Sequence, residues 1–290
     1  MKLIKFEHNG ERPIGVMSGE RIVPISSLGL GYHCMNELIA GATKAELDTM
    51  RKAALSPPGE TIPYNAVKKL SPIPRPRQDV ICIGYNYSEH VAESSKFKGL
   101  AADIPEHAIY FSKRVNEALP DGGEITAREI DEHLDYEAEL AVIIGRDAYK
   151  VSAADVGEYI FGYTILNDIS ARTLQTRHKQ YYFGKSLDSC TPMGPWIVTA
   201  DEISFPPRLA IASYVNGELR QNSNTERMIF TIPHIIEELS SGITLKAGTI
   251  IATGTPSGVG MGFSPPRFLK SGDNVECVIE GIGKLCNTVR

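Results

Sequence analysis

Two glutamates two residues apart, Glu137 and Glu139, come just before an apolar run at residues 141–144. In a β-strand, side chains at this spacing point to the same face. Two carboxylates held together beside a buried segment repel each other and lose hydration, and a divalent cation relieves both effects. The pattern therefore indicates a metal site. A solvated acidic edge, which would include Asp131 and Glu132, is the alternative.

A third carboxylate, Asp168, follows an apolar and β-rich segment at residues 159–167. Three carboxylates without histidine or cysteine form a hard oxygen site, which suits Mg²⁺ and, as alternatives, Mn²⁺ or Ca²⁺. Glu137, Glu139 and Asp168 are therefore the predicted metal ligands. Asp168 has one other interpretation, because an aspartate at this place can cap a helix near Ser170.

An imidazole and a carboxylate, His90 and Glu93, follow a predicted buried strand at residues 80–83 and a glycine. On a short helix with Asn86 as its cap, residues three apart face the same way. A carboxylate beside an imidazole orients it and raises its basicity, which is the arrangement of a general base. A solvated surface pair is the alternative. Residues 94–107 contain few large apolar groups and are expected to form a mobile lid loop.

Two further segments suggest binding of an anion. Lys185 lies between a glycine and residues 190–195, a segment that we expect to be buried. This position favours a functional role for the lysine over that of a solvated surface charge. The glycine-rich residues 254–260 follow a predicted strand and can present backbone N–H groups to an anion. This loop lacks the Gly-Lys-Ser/Thr ending of a P-loop and the G-x-G-x-x-G spacing of a dinucleotide site.

The composition narrows the class of protein. The 290 residues carry a net charge of −5, which gives no electrostatic case for nucleic acid or an anionic membrane as a partner. Apolar runs are too short to span a bilayer, and the first residues lack the apolar core of a signal peptide. The five cysteines are odd in number and scattered, so we expect buried thiols in a cytoplasmic protein.

The chain divides at a proline-rich segment, residues 71–76, which is typical of an extended linker. We therefore expect a small domain at residues 1–72 and a larger one at residues 73–290. The first contains a predicted hairpin around Asn9-Gly10 and one helix at residues 35–55. The candidate chemistry all lies in the second.

Five motifs occur in one order along the larger segment. They are Gly84-Tyr-Asn86-Tyr-x-x-His90-x-x-Glu93, Asp135-Tyr-Glu137-x-Glu139-Leu, Asn167-Asp168-x-Ser-Ala-Arg172, Gly184-Lys185-Ser-x-Asp188 and Thr253-Gly254-Thr255-Pro-x-Gly258. Together they resemble the fumarylacetoacetate hydrolase family over about residues 79–290. The N-terminal part is similar to the small variable domain of two-domain bacterial members.

The resemblance implies a mainly β, α+β fold, in which a mixed β-sandwich roll carries a small N-terminal α+β domain. It implies Mg²⁺ on Glu137, Glu139 and Asp168, and a homodimer. The same resemblance implies a catalytic group and a substrate-binding group. These are His90, Glu93 and Lys185 for catalysis, and Gln175, Arg172, Gly254 and Thr255 for substrate binding.

The activity implied by the resemblance is Mg²⁺-dependent hydrolysis of a C–C bond in an acylpyruvate-type 2-oxo acid, such as fumarylpyruvate or fumarylacetoacetate. The family's namesake enzymes use an additional aspartate ligand before the histidine. Residues 80–88 hold no carboxylate, which points to the smaller acylpyruvase-like branch. The alternatives are oxaloacetate decarboxylation, isomerisation of 2-hydroxyhepta-2,4-diene-1,7-dioate or 5-carboxymethyl-2-hydroxymuconate, and a non-catalytic metal-binding protein of the same fold.

Overall fold

The computed structural model describes residues 1–99, 101 and 103–290, apart from the side chains of Lys98 and Arg128. The strands of the described residues are β1 Lys2–Glu7, β2 Ile14–Ser18, β3 Arg21–Pro24, β4 Ile62–Pro63, β5 Lys68–Leu70, β6 Val80–Gly84, β7 Ile109–Lys113, β8 Glu124–Ile125, β9 Leu134–Asp135, β10 Ala138–Ile144, β11 Ile160–Asn167, β12 Ser170–Ala171, β13 Met193–Thr199, β14 Ala210–Val215, β15 Glu218–Asn224, β16 Ile250–Ala252, β17 Asn274–Ile279 and β18 Gly283–Val289. The α-helices are α1 Met35–Gly41, α2 Lys44–Leu55, α3 Ser88–Lys98, α4 Arg172–Arg177, α5 Tyr182–Lys185 and α6 Ile232–Gly242.

Two large sheets organise the chain. The first has the strand order β4-β3-β2-β1-β13-β11-β10-β16-β6-β7, with β5 also paired to β1. The second has the order β15-β14-β17-β18-β8. Most pairs are antiparallel, but β6 and β16 are parallel, as are β8 and β18. The predicted mainly β, mixed-sheet fold is therefore confirmed.

Strand β10 is buried on both faces. Leu140 and Val142 point into a core shared with the second sheet, where they join Ile211. Ala141 and Ile143 point into a core on the opposite face, which includes side chains of the N-terminal segment and α1. A strand covered on both sides must be apolar throughout, so a carboxylate at its N-terminal end stays there only with compensating partners.

The N-terminal segment adds strands to the first sheet, because Leu3 of β1 pairs with Ile197 of β13. The predicted hairpin is confirmed, with Asn9 and Gly10 both in the left-handed conformation that a type I′ turn requires. The single predicted helix is wrong, since α1 and α2 are separate. Thr43 caps α2 in a capping box with Glu46, and this local signal stops one helix from continuing into the next.

Helix α3 replaces part of the expected mobile loop at residues 94–107. Residues 94–98 are helical, and Ser94 is buried 3.0 Å from the Tyr85 hydroxyl, so that part of the prediction is wrong. The helix ends at Gly99, which has the left-handed conformation common after a C-terminus. Positions 100 and 102 of the same segment lie outside the described residues.

Asn86 does not cap α3, although the sequence predicts it. Its side chain instead donates hydrogen bonds to the carbonyls of Phe230 and Thr253 and accepts one from the Phe230 N–H. The asparagine thus fixes the start of α3 against two other segments. Among the described residues, no helix is long and apolar enough to cross a membrane.

Candidate active site

The three predicted metal ligands meet at one point. Glu137 lies between β9 and β10, Glu139 lies in β10, and Asp168 follows β11. One carboxylate oxygen from each residue lies within 4.8 Å of the others, and all three side chains are buried. Their convergence follows from antiparallel pairing, because Ala138 of β10 lies opposite Asn167 of β11. Asp168 is not a helix cap, since both of its oxygens bind lysines.

Two cations hold the cluster together. Lys185 Nζ lies 2.6 Å from Glu137 Oε2 and 2.7 Å from Asp168 Oδ2. Arg172 Nη2 lies 2.7 Å from Glu137 Oε1 and 2.9 Å from Asp135 Oδ2. Both contacts are ion pairs, and neither has the geometry of a hydrogen bond. Its Nη1 donates to Gln175 Oε1 at 3.0 Å. The predicted residues Lys185, Arg172 and Gln175 therefore lie together beside the carboxylates.

The carboxylates are electrostatically unequal. Burial alone would raise the pKa of Glu137, but the adjacent Lys185 and Arg172 outweigh it and lower that pKa to about 2. Burial raises the pKa of Glu139 well above its usual range, and the charges of Asp168 and Glu137 raise it further. Glu139 accepts a hydrogen bond from the Gly254 N–H at 2.8 Å and has no cation partner among the described residues.

This imbalance fits a divalent cation. Glu139 is a buried carboxylate that two other carboxylates destabilise, and a cation at the cluster would relieve the repulsion. The donors are all carboxylate oxygens, which suits a hard ion. Glu137, Glu139 and Asp168 can therefore hold a divalent metal, as the sequence predicts.

Lys113 is a site residue that the sequence analysis missed. It ends β7 and is fully buried, and its Nζ donates to Asp168 Oδ1 at 2.7 Å and to the Ile169 carbonyl at 3.1 Å. With Lys185 on Oδ2, both oxygens of Asp168 are held. No local motif marks Lys113, because its partner lies 55 positions away in the sequence.

Asp135 also has a role that the sequence analysis did not assign. This buried carboxylate accepts hydrogen bonds from Arg172 Nε at 3.0 Å, the Gly260 N–H at 2.6 Å and the Met261 N–H at 3.0 Å. It therefore joins the arginine to the glycine-rich loop. Its place in the motif with Glu137 was visible in the sequence, but its partners were not.

His90 and Glu93 form the predicted pair on α3. His90 Nδ1 lies 3.2 Å from Glu93 Oε2, and both side chains are largely buried. Because Nδ1–H donates to the carboxylate, Nε2 is the ring nitrogen left for chemistry. Glu93 Oε1 accepts a hydrogen bond from the Gly258 N–H at 3.0 Å. A Cβ at Gly262 would overlap the Glu93 carboxylate, so this docking requires a glycine there.

The glycine-rich loop does present N–H groups to anions, but these anions belong to the chain. N–H groups of the loop and of Met261, which follows it, donate to the carboxylates of Glu139, Glu93 and Asp135. The pairs are Gly254 with Glu139, Gly258 with Glu93, and Gly260 and Met261 with Asp135. Gly254, predicted to bind substrate, therefore uses its N–H to position a metal ligand.

A cavity of about 400 Å³ lies over the cluster, a size suited to a small molecule. Its lining includes His90, Glu137, Glu139, Arg172, Lys185 and Thr255, together with Phe97, Thr176, Lys179 and Tyr181. Thr255 is held by donating to the Ala138 carbonyl at 2.9 Å and accepting from Gln221 Nε2 at 2.7 Å. Gln175 lines the cavity as well.

Cysteine chemistry is not supported near this cavity. Burial raises the pKa of the Cys190 thiol to about 12 and that of Cys82 well above its usual range. A thiol must ionise to act as a nucleophile, and these thiols stay protonated at neutral pH.

Comparisons with known proteins agree with this site. Residues 79–290 match the family model described as the C-terminal part of fumarylacetoacetate (FAA) hydrolase. An oxaloacetate tautomerase of Bacillus subtilis is 50% identical over 224 residues, covering 77% of this chain and 73% of that protein.

Solved structures extend the likeness to the whole chain. A fumarylacetoacetate hydrolase from Exiguobacterium antarcticum superposes with a TM-score of 0.86 at 35% identity, covering 100% of this chain and 99% of that one. A maleylpyruvate hydrolase from Sphingobium sp. SYK-6, in complex with manganese(II) and pyruvate, gives a TM-score of 0.77 at 30% identity, covering 100% and 98%. With the carboxylate cluster and the match over residues 79–290, these likenesses show that the chain is a metal-dependent enzyme of the fumarylacetoacetate hydrolase family.

Proposed function

We propose that this enzyme interconverts the enol and keto forms of a 2-oxo diacid such as oxaloacetate, with Mg²⁺ as its metal and Mn²⁺ as an alternative. One observation carries the proposal: two carboxylates of the cluster, Glu137 and Glu139, line the same small cavity as His90. A 2-oxo acid offers a carboxylate and a keto oxygen side by side, and these two groups suit a single divalent ion. The adjacent carbon, C3, then needs only a group that moves a proton.

Glu137, Glu139 and Asp168 would hold the ion. When bound, it supplies Lewis acidity that stabilises negative charge on the oxygen of a 2-oxo acid. Lys185 and Arg172 line the same cavity and keep positive charge near that oxygen. Both are bound to carboxylates, and the Asp168 and Glu137 charges raise the pKa of Lys185 against the effect of its burial. Lys185 thus remains an ammonium and acts by its charge.

His90 is the group that moves the proton. In the keto-to-enol direction, Nε2 takes a proton from C3, and the C–H electron pair forms the C2–C3 double bond while the carbonyl pair moves to oxygen. That oxygen then takes a proton from solvent. The imidazolium then gives its proton to water. In the reverse direction, the enol hydroxyl gives its proton to solvent while Nε2 returns a proton to C3. Glu93 holds Nδ1 at 3.2 Å and stabilises the imidazolium formed in each cycle.

One relative supports this reaction by its name. The protein that is 50% identical over 224 residues is named an oxaloacetate tautomerase. Tautomerisation also needs fewer groups than hydrolysis, because no water molecule has to be placed for attack.

Hydrolysis of an acylpyruvate C–C bond is the second candidate. The solved structure of a maleylpyruvate hydrolase, with manganese(II) and pyruvate, favours it. The same His90–Glu93 pair would then take a proton from a water molecule, and pyruvate enolate would leave. Decarboxylation of oxaloacetate also gives pyruvate enolate. Isomerisation of 2-hydroxyhepta-2,4-diene-1,7-dioate or 5-carboxymethyl-2-hydroxymuconate, like tautomerisation, moves a proton between two positions of the substrate.

One experiment separates these reactions. The Mg²⁺-loaded enzyme is given enol oxaloacetate, and the loss of enol ultraviolet absorbance is followed together with pyruvate release. We expect fast enol loss without pyruvate. Pyruvate from oxaloacetate would indicate decarboxylation, and pyruvate from maleylpyruvate or fumarylpyruvate without effect on the enol would favour hydrolysis.

We also propose that the chain forms a homodimer, as the family resemblance implies. A fold with large sheets leaves apolar groups exposed, among them Ile130, Tyr182 and Phe183. Pairing by a two-fold axis would cover such groups in both copies. Light scattering at micromolar concentration should give twice the chain mass, and a monomer would contradict the proposal.

A further inference from the structure

Three basic side chains line the cavity, and they differ in how they are neutralised. Lys185 and Arg172 are buried and lie within 2.6–2.9 Å of carboxylates. Lys179 is exposed and makes no ion pair among the residues that the structure describes. Within the lining, it is the cation that remains available to an incoming anion.

The backbone at Lys179 is also unusual. Lys179 follows the C-terminus of α4 with φ of 59°, in the left-handed region where glycine is the common residue. A side chain in this conformation carries a steric cost, and such residues concentrate at functional sites. Lys150 has the same conformation, so it is the place of Lys179 in the cavity lining that marks its side chain.

The residues around the carboxylate cluster already account for one end of a 2-oxo acid. The carboxylate cluster is suited to the C1 carboxylate and the keto oxygen, through a divalent ion. The positive charges of Lys185 and Arg172 are largely compensated by Glu137, Asp168 and Asp135. A second carboxylate on the substrate thus needs its own cation, and Lys179 is the cation of the lining that forms no ion pair among the described residues.

We propose that Lys179 binds the second carboxylate of a 2-oxo diacid and makes the enzyme selective for diacids over monoacids. This proposal rests on the proposed function, because it assumes that the 2-oxo end lies at the carboxylate cluster. The lysine takes no part in proton transfer. It contributes to binding and to orienting the substrate, with C3 held between the two anchored ends.

Two ligands of equal chain length test the proposal without turnover. Calorimetric titration of the Mg²⁺-loaded enzyme compares 2-oxoglutarate with 2-oxopentanoate, which lacks only the second carboxylate. We expect the diacid to bind about tenfold more tightly, the scale of one charge-assisted hydrogen bond. Lys179→Met should abolish this difference and leave binding of 2-oxopentanoate unchanged, while Lys179→Arg should retain most of it.

Lys150 provides a matched control. It is also an exposed lysine in the left-handed conformation, with φ of 53°, and it does not line the cavity. Lys150→Met should therefore leave both affinities unchanged. Equal binding of the two ligands to the wild-type enzyme, or a preference that survives Lys179→Met, would overturn the subsite alone. Binding of neither ligand would overturn the proposed function and the subsite with it.

Discussion

Lys113 donates a hydrogen bond to Asp168 Oδ1 at 2.7 Å, and neither side chain is exposed. The other oxygen, Oδ2, accepts from Lys185 at 2.7 Å, and Lys185 also binds Glu137. Lys113 thus orients Asp168, a predicted metal ligand, by holding the carboxylate oxygen that Lys185 does not bind.

Replacing Lys113 should weaken metal binding. In Lys113→Met, Asp168 keeps Lys185 but loses the contact that orients it, so we expect Mg²⁺ or Mn²⁺ affinity to fall about 10- to 100-fold, as when other outer partners of metal ligands are lost. Titration of the metal-free variant with Mn²⁺, followed by electron paramagnetic resonance, measures this. Lys69→Met is the control, because Lys69 forms a similar pair with Asp121 at 2.6 Å outside the site. An unchanged Mn²⁺ affinity in Lys113→Met would show that Asp168 needs no such support.

Metal should stabilise the fold through the carboxylate cluster. At a metal concentration 100 times Kd, binding to the native state alone adds about 2.7 kcal/mol to the free energy of unfolding. For a chain of this size that raises Tm by roughly 5 °C. Differential scanning calorimetry with and without Mg²⁺ checks the shift. In Glu137→Gln the shift should be largely lost, and a full shift in this variant would place the ion elsewhere.

Loss of the imidazole should reduce turnover without removing the metal. His90→Ala is expected to lower kcat for oxaloacetate tautomerisation by about 10²- to 10⁴-fold, the scale of a general acid–base group. Glu93→Gln should lower it less, because His90 remains. Mn²⁺ affinity should be unchanged in both variants, since neither residue belongs to the carboxylate cluster. A kcat that survives His90→Ala would assign the proton transfer to another group.

Gly262 should matter because of its contact with Glu93. Gly262→Ala places a methyl group where the Glu93 carboxylate lies, so that carboxylate must move and its hydrogen bond from the Gly258 N–H is lost. We expect lower kcat, unchanged metal affinity, and faster tryptic cleavage at Lys96 of α3, because the helix has lost this contact. Gly31→Ala, at a position with open space around the added methyl, is the control. If both variants behave like the wild type, α3 does not depend on this docking.

Short-range patterns in the sequence were enough for much of the site. The spacing of Glu137 and Glu139, and the place of Asp168 after a strand, predicted the cluster because antiparallel pairing brings such positions together. The pair on α3 followed from helical spacing alone. The Asn9-Gly10 hairpin was likewise a local property of two residues.

Partners that are distant in the chain were not predictable in this way. Lys113 meets Asp168 across 55 positions, and Asp135 meets the Gly260 N–H across 125. Neither contact leaves a spacing signal, because tertiary packing alone decides it. The same reason explains Asn86, which local rules make a helix cap, although its amide binds segments 144 and 167 positions away.

Solvent deuterium labelling tests whether His90, beside a metal held by the carboxylate cluster, moves one proton at C3. The Mg²⁺-loaded enzyme converts enol oxaloacetate to the keto form in D₂O, and rapid borohydride reduction followed by NMR gives the configuration of the deuteron at C3. Because His90 lies on one wall of the cavity, we expect the wild type to place deuterium on a single face of C3. Metal-free enzyme and His90→Ala should instead give random labelling. Random labelling by the active, metal-loaded wild type, equal to that of the uncatalysed reaction, would contradict it.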